Sequence, residues 1–111
     1  MYLGMTDNEY ETVLNSTPQL VAKRLHIPDV EIQDNSILAS LIEQKDKAAF
    51  LIMQEFLNTY TDWWESSKKL SDQDTPENYE VLKRLISSRD EIRNALISYL
   101  NAKYGKPNER H

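Results

Sequence analysis

The stretch that decides the fold runs from position 34 to position 70: DNSILASLIEQKDKAAFLIMQEFLNTYTDWWESSKKL. It contains neither glycine nor proline, and as an α-helix it would span roughly 50 Å. One arc at 100° per residue carries Leu38, Ile42, Ala49, Ile52, Met53, Phe56, Tyr60 and Trp63. The pattern predicts one long amphipathic helix over 35–70. A helix of this length can bend or break, but nothing in the stretch forces it to.

A second long helix is predicted over 76–104. Thr75 and Pro76 supply an N-cap and a proline at the first helical position, and Gly105 with Pro107 ends the pattern. Its apolar arc consists of Leu82, Leu85, Ile92, Leu96, Tyr99 and Leu100. Because the link between the two long helices is short, we expect an antiparallel hairpin. Its register sets Leu82 near Trp63, Leu85 near Tyr60, Ile92 near Met53 and Leu96 near Ala49.

Two short helices are predicted before the hairpin, over 6–14 and 18–26, followed by an extended connection at 26–34. Thr6 and Glu9 form a capping-box pattern, and Thr17-Pro18 repeats the cap-plus-proline opening. The expected fold is all-α: a long antiparallel hairpin with the two short helices packed on it, a four-helix arrangement within one domain, 1–111.

Some apolar side chains point away from the seam of the predicted hairpin. Ile37 and Leu51 are examples, and the two short helices, with Leu20 among their apolar residues, are available to cover them. Oligomerisation is the competing way to cover this face.

Composition restricts the chemistry that the chain can perform. Its 111 residues include no Cys, 2 His and 2 Gly, which excludes disulfides, thiolate nucleophiles and Cys-ligated metals. Two glycines at opposite ends of the chain cannot form a phosphate-binding loop. No combination of nucleophile, base and orienting group is present. We therefore expect no catalytic residues, no metal site, no cofactor and no small-molecule substrate.

The net charge of −5 belongs to the N-terminal half of the chain. Three acidic residues, Asp7, Glu9 and Glu11, precede the first basic residue, Lys23. Because a net acidic chain repels nucleic acid at long range, we do not expect nucleic acid as a partner. The acidic segment is interpreted either as a solvated face or as an arm that docks on a basic protein.

Four further residues are candidates for partner binding. Tyr60, Trp63 and Trp64 crowd the end of the first long helix, and adjacent tryptophans cannot both face the seam. Arg89 lies at the centre of the second apolar arc, where the register places it beside Phe56. The alternatives are that the aromatic residues only pack the hairpin and that Arg89 extends its charge to solvent.

Residues 21–44, VAKRLHIPDVEIQDNSILASLIEQ, resemble the opening of phage head–tail connector (adaptor) proteins, and ALISYLNAKYG at 95–105 is similar to their closing helix. The residues that carry the resemblance are Arg24, Leu25, Ile27, Asp29, Asp34, Leu38, Leu41 and Ile42. The acidic N-terminal segment and the long central helix depart from the family. The resemblance implies ring assembly between a portal and a tail, without catalysis.

The expected function is a non-enzymatic protein–protein interaction or assembly module, with a protein partner or self-association. The alternative is a small acidic regulator or inhibitor, because the second half also resembles small helical regulators of competence and biofilm formation (YlbF-like). The start of the chain has no basic region followed by an apolar run, so we expect neither a signal peptide nor a membrane span. The expected location is the cytoplasm, or the virion for a phage protein.

Overall fold

A computed structural model describes residues 4–28 and 34–106. These residues form four α-helices: α1 (Asp7–Arg24), α2 (Asn35–Lys45), α3 (Lys47–Asp72) and α4 (Pro76–Tyr104). The described part of the chain contains no β-strand. The predicted all-α class is confirmed, although the first three helices are divided differently along the chain. Pro107 and most of the predicted connection at 26–34 lie outside the described residues.

The hairpin of α3 and α4 is the most extensive helix pair, while α1 and α2 pack on α3 and on each other. The bounds of α4 are those that the sequence predicts. Thr75 Oγ1 accepts a 3.2 Å hydrogen bond from the Asn78 N–H at its start. Gly105 follows its end with a φ of 81°, a conformation that glycine adopts without steric cost.

The predicted single helix over 35–70 is wrong, because Asp46 divides it into α2 and α3. The backbone of Asp46 is extended, with φ −156° and ψ 93°. Its Oδ1 accepts a 3.1 Å hydrogen bond from the Ala49 N–H, so Asp46 is the N-cap of α3. An aspartate followed by Lys-Ala-Ala is compatible with a helix interior as well as with a cap, and the distinction comes from tertiary contacts.

The contacts that fix Asp46 come from the last turns of α4. Tyr99 Oη donates to Asp46 Oδ1 at 2.8 Å, and Tyr104 Oη donates to Oδ2 at 2.7 Å. Lys103 Nζ lies 3.0 Å from Oδ2. Burial raises the pKa of the Asp46 carboxyl, but hydrogen bonds from Tyr104, the Ala49 N–H, Tyr99 and Lys103 outweigh it and hold that pKa well below its usual range. The break between α2 and α3 is therefore stabilised by side chains of α4, which reach Asp46 when α4 packs against α3.

The two predicted N-terminal helices, 6–14 and 18–26, are one helix, α1, with Pro18 inside it. Pro18 has no N–H, so it cannot donate to the Leu14 carbonyl as a helix interior requires. Asn35 Nδ2 of α2 donates to that carbonyl instead, at 3.4 Å. Thr17 and Pro18 are buried, and this packing holds the helix together across the proline.

Two clusters of buried side chains form the core, one at each end of the hairpin. The first contains Val21, Ala22, Leu25, Ile27, Leu38, Ile42, Ala49, Met53, Leu96 and Leu100. The second contains Met5, Trp63, Leu70 and Leu82. Leu82 and Trp63 share a cluster, as do Leu96 and Ala49, in agreement with the predicted register. Between Leu82 and Leu96, no residue of α4 is fully buried, so the core is interrupted there.

The expected covering of Ile37 and Leu51 by the N-terminal segment is wrong, since both side chains are about half exposed. Leu20, expected to help cover them, is itself 62 % exposed. The reason is the path of α1, which packs on a different side of α3 from the one that carries Leu51.

Candidate functional site

The direction of α1 determines the shape of the site. The Met5 N–H donates to Ser67 Oγ at 2.7 Å, and the hydroxyls of Tyr10 and Thr61 share a hydrogen bond of 2.7 Å. Residue numbers therefore rise along α1 as they fall along α3, so the two helices are antiparallel. Because α4 is also antiparallel to α3, α1 and α4 run parallel to each other on either side of it.

A groove of about 320 Å³ lies between α1 and α4 where the core is interrupted. Three elements contribute to it: the start of α1 with Met5 ahead of it, α3 and α4. The lining residues are Met5, Asn8, Glu9, Thr12, Val13, Tyr60, Trp63 and Arg89. The groove brings an acidic side chain, a basic side chain and two aromatic rings to one surface.

Aromatic rings on α3 form the floor of the groove. Trp63 is largely buried, and its ring centroid lies 5.6 Å from that of Tyr60. Tyr60 in turn packs edge-on against Phe56 at 5.0 Å. These distances lie in the range of favourable aromatic pairs, so the floor is held rigid by its own side chains.

Arg89 forms part of the α4 wall. Its guanidinium carbon lies 5.0 Å from the centroid of the Trp63 ring, within the range of a cation–π contact. Its Nη2 is 2.6 Å from Asp90 Oδ1, and its side chain is 25 % exposed. Arg89 was predicted to lie beside Phe56. Its ring contact is instead with Trp63, two helical turns further along α3. The partial exposure agrees with the interpretation that Arg89 extends its charge towards solvent.

Trp64 is not a lining residue of the groove. It lies on α3 and contacts α1 instead. Its ring stacks on that of Tyr10, with centroids 4.4 Å apart and planes 10° from parallel. Its Nε1–H donates to Asp7 Oδ1 at 2.5 Å, and Lys68 Nζ lies 3.6 Å from the ring centroid. Trp64 and Asp7 thus make contacts within the chain, and the packing partner of this tryptophan is α1.

The seven residues predicted from the sequence as partner-binding therefore separate into groups. Tyr60, Trp63, Arg89 and Glu9 line the groove. Asp7 and Trp64 bind each other at an exposed contact between α1 and α3. Glu11 is exposed on α1 and does not line the groove.

Sequence reasoning found Glu9 on the α1 wall but missed Thr12 and Val13. The signal that could have found the wall is helical spacing, since positions 8, 9, 12 and 13 share a face of α1. Whether that face points towards α3 and α4 depends on the path of α1, which the sequence does not specify.

The helices α1 and α4 come into direct contact towards their C-terminal ends, where Arg24 donates to Asn101 Oδ1 and to the Gly105 carbonyl, both at 2.7 Å. Leu20 and Ile97 lie one helical turn before Arg24 and Asn101, and both side chains are exposed. Exposed apolar residues therefore lie on both helices beyond the groove.

Two further findings concern other kinds of site. In residues 4–28 and 34–106, no group of three or more His, Cys, Asp or Glu side chains is arranged to hold a metal ion. None of the helices described is both long enough and apolar enough to cross a membrane.

No protein-family model, curated protein or solved structure matches the chain. The resemblance to phage connectors consequently stays a prediction.

Proposed function

We propose that the protein is a non-enzymatic interaction module that binds another protein chain along the groove between α1 and α4. The observation that carries this proposal is the meeting of Tyr60, Trp63 and Arg89 in one groove. Tyrosine, tryptophan and arginine are the residues that most often dominate the binding energy of protein interfaces.

Apolar exposure beyond the groove supports the same function. Leu20 and Ile97 are exposed level with each other, although both lie on helices whose opposite faces are buried. A partner that covers them gains about 25 cal/mol for each Å² of apolar surface removed from water. The antiparallel hairpin provides a rigid support, so little ordering of the backbone is required on binding.

The biological role that we propose is assembly, in keeping with the connector resemblance at 21–44 and 95–105. A small acidic regulator is the second candidate, favoured by the exposed positions of Glu9 and Glu11 on α1. Light scattering on the purified protein distinguishes the two: a defined ring supports the connector role, and a monomer that binds a basic protein supports the regulator.

Photo-crosslinking tests the proposed groove in the cells that naturally produce the protein. A benzoylphenylalanine replaces Val13 in the groove or, as the matched control, Leu51 on the outer face of α3. We expect one discrete protein adduct from position 13 and none from position 51. Equal labelling from both positions, or no adduct from position 13, would contradict the proposal.

A further inference from the structure

A single residue, Asp46, separates α2 from α3. Its N–H donates to the Ile42 carbonyl at 2.8 Å, and its carbonyl accepts from the Phe50 N–H at 3.0 Å, so the helical hydrogen-bond pattern reaches Asp46 from both sides. The extended backbone of Asp46 interrupts the i→i−4 bonds that span this one residue. Because residues 35–70 contain neither glycine nor proline, a rotation at Asp46 alone would join α2 and α3 into one helix.

We propose that Asp46 is the hinge of a domain swap, in which α2 and α3 straighten into one helix and the pair of α1 and α2 packs on the hairpin of a second copy of the chain. The inference goes beyond the proposed function, since it concerns the break in the chain and not the groove. A very short connection between packed helices favours exchange of this kind, because the same contacts can form between copies once the connection straightens.

The core requires a second copy as the partner. Straightening at Asp46 carries α1 and α2, which pack on each other, away from their own hairpin. It exposes side chains of this pair that are fully buried: Val21, Leu25, Leu38 and Ile42. It also uncovers the hairpin side chains of the same cluster: Ala49, Met53, Leu96 and Leu100. Two copies restore all these contacts by exchanging their pairs of α1 and α2, so the dimer differs from two monomers mainly at the hinge.

The carboxylate of Asp46 favours the bent state. Its Oδ1 accepts from the Ala49 N–H at 3.1 Å, a capping bond that requires the non-helical backbone of an N-cap residue. Tyr99 and Tyr104 of α4 donate to the same carboxylate at 2.8 and 2.7 Å. An alanine at this position removes the cap and has the highest helix propensity, so it should favour the straight helix and the dimer.

Light scattering after size exclusion, over a range of protein concentrations, tests the inference with Asp46→Ala. We expect the dissociation constant of the dimer to fall at least about tenfold relative to the wild-type protein, since each dimer contains two hinges and each loses a cap. The matched control is Asp62→Ala, at an exposed position of α3, which should leave the dissociation constant unchanged.

A proline at position 47 distinguishes a domain swap from other dimers. Lys47 is exposed and is the first residue of α3, a position where proline is tolerated. The extended backbone of Asp46 also suits the residue before a proline. In a straight helix the same proline would lie in the interior and break it. Adding Lys47→Pro to Asp46→Ala should therefore return the protein to a monomer.

Amide hydrogen exchange reports on the straightening itself. The N–H groups of Lys47 and Ala48 belong to the first turn of α3, which has no preceding helical carbonyls to bind. In the straight helix they would donate to the carbonyls of Glu43 and Gln44. Their exchange should be at least about tenfold slower in the Asp46→Ala dimer than in the wild-type monomer.

Three results would overturn the inference: a folded Asp46→Ala that dimerises no better than Asp62→Ala, a dimer that persists with Lys47→Pro, or a dimer in which Lys47 and Ala48 exchange no more slowly. If Asp46→Ala does not fold, the double variant Tyr99→Phe with Tyr104→Phe replaces it, and a folded monomer would again overturn the inference. The crosslink from position 13 tests the groove independently of all these measurements.

Discussion

The guanidinium carbon of Arg89 lies 5.0 Å from the centre of the Trp63 ring, so a charged side chain of α4 stands over the aromatic floor that α3 provides. Arg89 also pairs with Asp90, its neighbour in sequence. Its two contacts therefore come from within the hairpin, and its partial exposure leaves it accessible to a partner. This arrangement makes Arg89 part of a surface rather than part of the core.

Arg89→Met should change the free energy of unfolding by no more than about 1 kcal/mol. The Asp90 carboxylate of the ion pair is about half exposed, and the contact with Trp63 is of the modest cation–π kind. Urea denaturation followed by circular dichroism measures the effect. A loss of about 3 kcal/mol or more would show instead that Arg89 is a buried, paired charge.

Trp64→Ala should destabilise the protein by about 2–3 kcal/mol, because it removes the ring that stacks on Tyr10 and the N–H that binds Asp7. The matched control is Lys68→Ala, which removes only the cation above the ring. Binding through the groove should persist in whatever fraction stays folded. If stability is unchanged and partner binding is lost, Trp64 belongs to the binding surface and not to the support of α1.

Acid should weaken the fold through Asp46. Its pKa is lower in the folded protein than the ordinary value of about 3.9, so its contribution is fully present above about pH 4 and is lost as the pH falls below that value. Asp46→Asn should destabilise the protein at neutral pH and flatten this acid dependence. Urea denaturation from pH 7 to pH 2 measures both effects, with Asp62→Asn on the exposed side of α3 as the control. An unchanged acid dependence in Asp46→Asn would contradict the role of the carboxylate.

A double-mutant cycle tests the contact between Asn35 and the Leu14 carbonyl. Asn35→Ala should cost about 1 kcal/mol in the wild-type protein, since the carbonyl loses the donor that replaces the absent N–H of Pro18. In the Pro18→Ala background the helix supplies its own N–H, and the cost should fall by at least about 0.5 kcal/mol. The difference between the two unfolding free energies gives the coupling. Equal costs in both backgrounds would show that Asn35 does not act through that carbonyl.

The fold class and the second half of the chain could be predicted because their signals are local. Thr75, Pro76 and Gly105 set the bounds of α4 through their own backbone preferences, and Thr6 caps α1 as its spacing from Glu9 indicates. These residues act within one helical turn, so sequence spacing is sufficient to identify them.

The two errors in helix bounds depend on residues distant in sequence. Asp46 ends one helix and begins the next because Tyr99 and Tyr104 hold its carboxylate, more than fifty residues away. Pro18 stays inside α1 because Asn35 supplies the missing donor. A capping residue or a proline in the sequence does not by itself show whether a distant side chain will contact it.

Part of the candidate site could also be predicted. Tyr60, Trp63 and Arg89 were singled out by residue type and helical position, and the groove contains all of them. The rest of the α1 wall beyond Glu9 could not be predicted, since it requires α1 to be one helix lying antiparallel to α3. Val13 is the clearest example, because its place in the groove opposite Arg89 depends on α4 and not on its own sequence neighbours.

The central claim is that the groove between α1 and α4 is the surface that a partner covers. Hydroxyl-radical footprinting of the protein with and without the partner crosslinked at position 13 tests it most directly, since this method measures the solvent access of individual side chains. The account predicts that oxidation of Leu20 and Tyr60 falls in the complex while that of Leu51 is unchanged. Unchanged oxidation of Leu20 and Tyr60, with protection of Leu51, would contradict it.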